Sequence, residues 1–156
     1  MRILLVFFFF LITSAYALAQ NTIEFSYTLK THETDTSIIN VEAMIINKSD
    51  KPIYFLSESC NELDYYILTN DSSVESYIML HCNISFPLKI EVNPNASFRF
   101  LTQLLVTAPI DHLQLTLMLV QLDADTEVKG KMIHQIRKEY IDQTIEIKGP
   151  VIFLKN

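Results

Sequence analysis

Residues 112–122 read HLQLTLMLVQL. Leucine occupies every second position from Leu113 to Leu119, with His112, Gln114 and Thr116 between. A repeat of two is that of an extended strand, whose successive side chains point to opposite faces. A helix would instead need apolar residues three and four positions apart. The other face turns apolar at Met118 and Val120. This segment is a β-strand with one face committed to a core.

The same alternation recurs upstream. TIEFSYTLK (22–30) puts Ile23, Phe25, Tyr27 and Leu29 on one face and Thr22, Glu24, Ser26 and Thr28 on the other. SIINVEAMIIN (37–47) continues with Ile39, Val41, Ala43 and Ile45. Shorter runs follow: PIYFLS, LDYYILT, SYIMLH, PLKIEV, SFRFLTQLLV and the terminal PVIFL. Turn chemistry separates them at NKSDKP (47–52), TNDSS (69–73), NPNAS (93–97) and LDADTE (122–127). With only two glycines, Asn and Asp must supply most left-handed turn positions. Regular strands with turn signals between them predict an all-β, antiparallel sandwich of about seven to nine strands. The segment KGKMIHQIRKEYIDQ reads either way: Ile133, Ile136 and Tyr140 have helical spacing, while a strand followed by a loop fits nearly as well.

Met1-Arg2 precedes the unbroken apolar run Ile3–Ile12, and Ala17-Leu18-Ala19 presents small residues at the two positions a signal peptidase requires. The run is shorter than the roughly 20 residues a transmembrane helix needs. Residues 1–19 are therefore expected to be a signal peptide and 20–156 a single β-sandwich domain, secreted or periplasmic. Without Arg2 the chain carries 11 basic against 18 acidic residues, a net charge of about −7. No basic cluster stands out, which disfavours nucleic acid and anionic membrane surfaces as partners. No later stretch has transmembrane length.

Cys60 and Cys82 are the two cysteines. In an oxidising compartment a disulfide is the economical reading. Closing a loop of this length would restrict the unfolded chain by roughly 3 kcal/mol. The competing readings are a metal site that borrows His81 and a redox pair. Zinc favours close pairs of ligands, whereas adjacent His81 and Cys82 on a strand point apart, and no Cys-x-x-Cys occurs.

Catalytic signatures are sparse. His32, His81, His112 and His134 each stand without a short-range partner. THETDT (31–36) lacks the second histidine of a zinc-protease helix. Asp123, Asp125 and Glu127 alternate, but the sixth and twelfth positions of a calcium loop are filled by Val128 and His134. Neither a nucleophile elbow nor a glycine-rich phosphate loop is present. The expectation is a non-enzymatic chain with no cofactor and no metal.

Four Asn-x-Ser tripeptides start at Asn47, Asn70, Asn83 and Asn95. With nine Asn and 23 Ser plus Thr, chance gives about 1.3 such tripeptides. They are glycan acceptors in a eukaryotic secretory host and ordinary turn residues in a bacterium. Tyr65, Tyr66 and Tyr77 cluster around the cysteine loop, where they are expected either to form a contact surface or to fill the core.

The order of NKSDKPIYF (47–55), a strand ending in LTND (68–71) and IEVNPNASFRF (90–100) resembles small bacterial immunoglobulin-like sandwich domains, including a proteinase-inhibitor group. The family pattern is an N-x-S-D-x-P-hydrophobic turn, a strand ending in Asp plus a turn, then a Pro-Gly/Asn turn; here Asn95 stands where glycine is usual. The leader and the scarcity of glycine are also similar to short secreted proteins of Bacteroidetes type. The resemblance implies an immunoglobulin-like fold and carries over no functional residue. The function expected is a secreted module that binds a protein or cell-envelope component. The alternatives are an extracellular proteinase inhibitor and a small hydrolase.

Overall fold

The computed structural model describes residues 22–78 and 85–154. The expected signal segment 1–19 lies outside the described residues, as do His81, Cys82 and Asn83. Nine strands are seen among the described residues: β1 (Ile23–Thr31), β2 (Ile38–Asn47), β3 (Ile53–Glu58), β4 (Ile67–Thr69), β5 (Val74–Ser76), β6 (Pro87–Val92), β7 (Ser97–Val106), β8 (His112–Leu122) and β9 (Thr144–Phe153).

They form two antiparallel sheets. The first has the order β1-β2-β7-β5. The second is built on β8, which pairs β9 along one edge and shares its other edge between β4 and β3, with β6 outside β3. The sets β1-β2-β7 and β9-β8-β3 correspond to strands A-B-E and G-F-C of the immunoglobulin sandwich. The protein is an immunoglobulin-like, all-β sandwich.

The core lies where the alternation put it. Phe25, Val41, Ala43 and Ile45 from one sheet are buried against Leu113, Leu115, Leu117 and Leu119 from the other. Phe55 of the second sheet meets Phe98 of the first edge-on, with ring centres 5.6 Å apart, and Phe98 stacks on Phe100.

The ambiguous segment is a helix, α1 (Ile133–Glu139), followed by a single 3-10 turn (Ile141–Gln143). Gln135 caps α1, its side-chain oxygen accepting the Met132 N–H at 3.1 Å. Ile136 is fully buried. This connection between β8 and β9 reaches back to the outer face of β3, so Leu56, Val120 and Leu122 are buried although their strand positions face away from the sandwich interior. LDYYILT is not one strand. A 3-10 turn (Asp64–Tyr66) precedes the three-residue β4, because Asn61 and Glu62, at φ 65° and 39°, turn the chain sharply after β3. Of SYIMLH, Ser76 ends β5, Tyr77 and Ile78 are not in a strand, and the rest lies outside the described residues.

Asparagine takes the turn role that glycine scarcity demanded. Asn95 sits at φ 59° in the β6–β7 turn. Asn47 anchors the β2–β3 turn. Its Nδ2 donates to Lys51 O (2.7 Å) and Val92 O (2.9 Å). Its Oδ1 accepts from the Ser49 N–H (2.9 Å) and hydroxyl (2.6 Å). Its backbone exchanges hydrogen bonds with Ala96 and Asn95. One fully buried side chain thus ties two turns from different parts of the chain together.

Candidate functional site

The outer face of the first sheet is an ordered lattice. Strand register aligns three rows across β1, β2 and β7: Ser26–Met44–Arg99, Thr28–Glu42–Leu101 and Lys30–Asn40–Gln103. These residues alternate with the buried Phe25, Tyr27, Val41, Ala43, Phe100 and Thr102, so they point outward. Gln103 Nε2 donates to Asn40 Oδ1 at 2.7 Å, and Lys30 lies 3.8 Å from Glu42. Ser26, Thr28, Glu42, Met44 and Arg99 of the first two rows line an open depression. Beside it Leu101 stands 76% exposed. Arg99 has no ion-pair partner among the described residues. A guanidinium without a direct ion pair, the Glu42 carboxylate, hydroxyls and an exposed leucine on a paired sheet give donors, acceptors and apolar area at fixed spacing. A ligand meeting this face has little protein ordering to overcome. The chemistry offered is recognition: the planar guanidinium suits a carboxylate or phosphate.

A second constellation faces inward. Glu58, at the end of β3, is only 3% exposed. Arg137 of α1 donates from Nη2 to Glu58 Oε1 and from Nε to the Tyr66 hydroxyl (3.2 Å), with its guanidinium 4.7 Å from the Tyr66 ring centre. Burial raises the Tyr66 phenol above its ordinary range, and the bond from Arg137 opposes that rise. This group pins α1 to the sheet. The spacing of Ile133, Ile136 and Tyr140 held its signal, since a helix with that stripe carries Arg137 on its border.

Lysine closes a third contact. Lys89 of β6 donates to the Ala124 and Thr126 carbonyls at 2.8 and 2.9 Å and lies over the Tyr54 ring. An ammonium thus occupies the carbonyls of the Asp123–Glu127 turn.

The structure separates the tyrosines grouped from sequence. Tyr65 is 48% exposed on the 3-10 turn, and Tyr77 is half-buried with its N–H on Gln103 O. Tyr66 does not belong to a contact surface: at 4% exposure its ring is spent on the core and on Arg137. The 3-10 turn causes the split by rotating adjacent residues to different sides. Cys60 lies in the three-residue loop between Glu58 and Glu62 and is not a free thiol. Its expected partner Cys82 lies outside the described residues.

The sequons separate as well. Asn47 does not suit a glycan in the folded chain, because Nδ2 is buried with both hydrogens engaged. Asn70 and Asn95 are exposed. His112 and His134 are also exposed and His32 is half-buried; His32 meets Thr34, and the His112 ring lies 6.2 Å from the Phe153 ring. Among the described residues no three His, Cys, Asp or Glu side chains converge in a metal-holding geometry, and no helix is long and apolar enough to cross a membrane.

No protein-family model matches the chain, and no curated protein matches it in sequence. Among solved structures it is similar to that of WR4, a C. elegans MSP family member, with a TM-score of 0.37 and 12% identity over 86% of this chain and 98% of that one.

Proposed function

We propose that this protein is a secreted or periplasmic, non-enzymatic binding module whose partner is a protein or cell-envelope component that presents an acidic group. The observation that carries the reading is the row-aligned face of β1, β2 and β7, where Arg99 and Leu101 stand exposed beside the depression. Export is supported by the apolar leader that ends at Ala17-Leu18-Ala19. A disulfide between Cys60 and Cys82 would tie the loop after β3 to the chain leading into β6. The turn pattern similar to bacterial immunoglobulin-like domains supports the same kind of module.

The test compares native protein with Arg99→Glu and Leu101→Asp variants for retention on the envelope or surface fraction of the producing cells. Both changes lie on a solvent-facing sheet surface, so melting temperatures should stay close to native. At least a tenfold loss of retention by either variant is expected. Equal retention by all three chains would remove this face as the binding surface. Intact mass before and after reduction checks the rest: a chain starting at Gln20 that takes up alkylating agent only after reduction is expected.

A further inference from the structure

We propose that Asn70 and Asn95 are N-glycan acceptor sites, whereas Asn47, in the same Asn-x-Ser context, is reserved for the fold. The inference rests on the secreted reading, taken for a eukaryotic secretory host, and adds to it a covalent modification at two defined positions.

An N-glycan is attached when the asparagine Nδ2 bonds to the anomeric carbon of an oligosaccharide carried on a lipid pyrophosphate. The bond from that carbon to the pyrophosphate oxygen breaks, the lipid pyrophosphate leaves, and Nδ2 gives up one proton. The product needs an Nδ2 that faces solvent and is not required elsewhere. Asn70 meets this condition. Its Oδ1 accepts the Gln114 N–H at 2.7 Å, which orients the amide, while Nδ2 has no partner among the described residues. Asn70 and Ser72 are both exposed. Asn95 also meets it, standing exposed at φ 59° at the tip of the β6–β7 turn, with Ser97 exposed at the start of β7. Asn47 fails on both counts, since Nδ2 is buried and donates to Lys51 O and Val92 O. Joining a sugar there would break the bridge between the two turns.

The two open acceptors occupy opposite ends of the sandwich. Asn70 lies beside the start of β8, and Asn95 lies between β6 and β7, next to the β2–β3 turn. The lattice face of β1, β2 and β7 carries no acceptor, so glycans at both ends leave it open.

The experiment expresses the full chain in a eukaryotic secretory line with Asn83→Gln as background. Secreted protein is treated with peptide-N-glycosidase, and peptide masses are read for the Asn-to-Asp conversion that marks an occupied site. Conversion is expected at positions 70 and 95 and not at 47. Asn70→Gln and Asn95→Gln should each remove one glycan-sized step on a gel, and together both. Secreted, leader-cleaved protein without a glycan at either position, or with one at Asn47, overturns the assignment. The same chain behind an unrelated leader separates the two readings: glycans at 70 and 95 there, with the native leader retained, uphold the sites and sink the export reading.

Discussion

Gly149 of β9 leaves the space that Tyr27 of β1 occupies: a Cβ at position 149 would lie 2.5 Å from Tyr27 Cε1 and 3.2 Å from Phe25 Cδ1. The closeness has a purpose. The pairing of β8 with β9 shifts register between Gln114 and Thr116, and the Leu115 N–H donates to the Tyr27 hydroxyl at 3.0 Å. That hydroxyl donates in turn to Pro150 O at 2.5 Å. A side chain of the first sheet therefore completes the hydrogen bonding of an irregularity in the second.

Gly149→Ala should destabilise the protein by about 1–3 kcal/mol, the usual range for an added methyl that a packed core cannot accept. Tyr27→Phe should cost about 1–3 kcal/mol for a different reason, since it leaves the buried Leu115 N–H without its acceptor. Urea denaturation of each variant measures both. A neutral Gly149→Ala would mean that the Tyr27 ring has room to move.

Asn47→Ala removes the acceptor for Ser49 and the donors to Lys51 and Val92. A loss of about 2–4 kcal/mol is expected from several buried polar groups left unpaired at once. Asn47→Asp should not rescue it, because the carboxylate cannot donate to either carbonyl. Equal urea midpoints for Asn47→Asp and native protein would show that the two donated bonds contribute nothing.

Arg137→Ala leaves the Glu58 carboxylate buried without its counter-charge, which costs about 3–5 kcal/mol for pairs of this kind. Replacing both partners together, as Glu58→Leu with Arg137→Leu, should recover most of that loss. A double-mutant cycle on thermal unfolding measures the coupling. Additive single effects would show that α1 is held by Ile136 and not by the ion pair.

Asp64 sets a pH dependence. Burial pushes its carboxyl above the usual range; the Thr102 hydroxyl facing it opposes the rise, and the Glu62 charge adds to it. The Asp64 Oδ1 and Thr102 Oγ1 atoms have no hydrogen-bond partner at ordinary bonding geometry. A carboxyl raised in the folded state stabilises the fold when protonated. That contribution is complete below the unfolded value of 3.8 and is lost as pH rises through the higher folded value. Asp64→Asn should therefore gain stability on the native chain between about pH 4 and pH 7. Urea midpoints across that range test it, and parallel curves for the two chains would refute the raised carboxyl.

The two-sheet architecture was legible because most strands bury one face. Leu113, Leu115, Leu117 and Leu119 needed only the repeat of two, and all four are fully buried. PIYFLS was harder, since Phe55 to Glu58 are buried on both faces once α1 arrives from some 80 residues later. No local pattern announces that cover. The choice between core and contact surface for Tyr66 was open in the sequence for a similar reason: the left-handed Asn61 and Glu62 turn the chain just before it. Asn47 and Asn70 look alike as tripeptides. What distinguishes them is the Val92 carbonyl, 45 residues away from Asn47. The lattice of β1, β2 and β7 needed the pairing register, which alternation alone does not supply.

The Gly149–Pro150 step also bears on behaviour at high concentration. A long edge strand is a template on which another chain can add, because its row of unused donors and acceptors is continuous. Along β9 that row is interrupted: Pro150 has no N–H, and its carbonyl is already taken by Tyr27. What remains are two short stretches, one on each side of Pro150. The seam that lets Tyr27 serve both sheets therefore also denies fibril growth its longest docking rail.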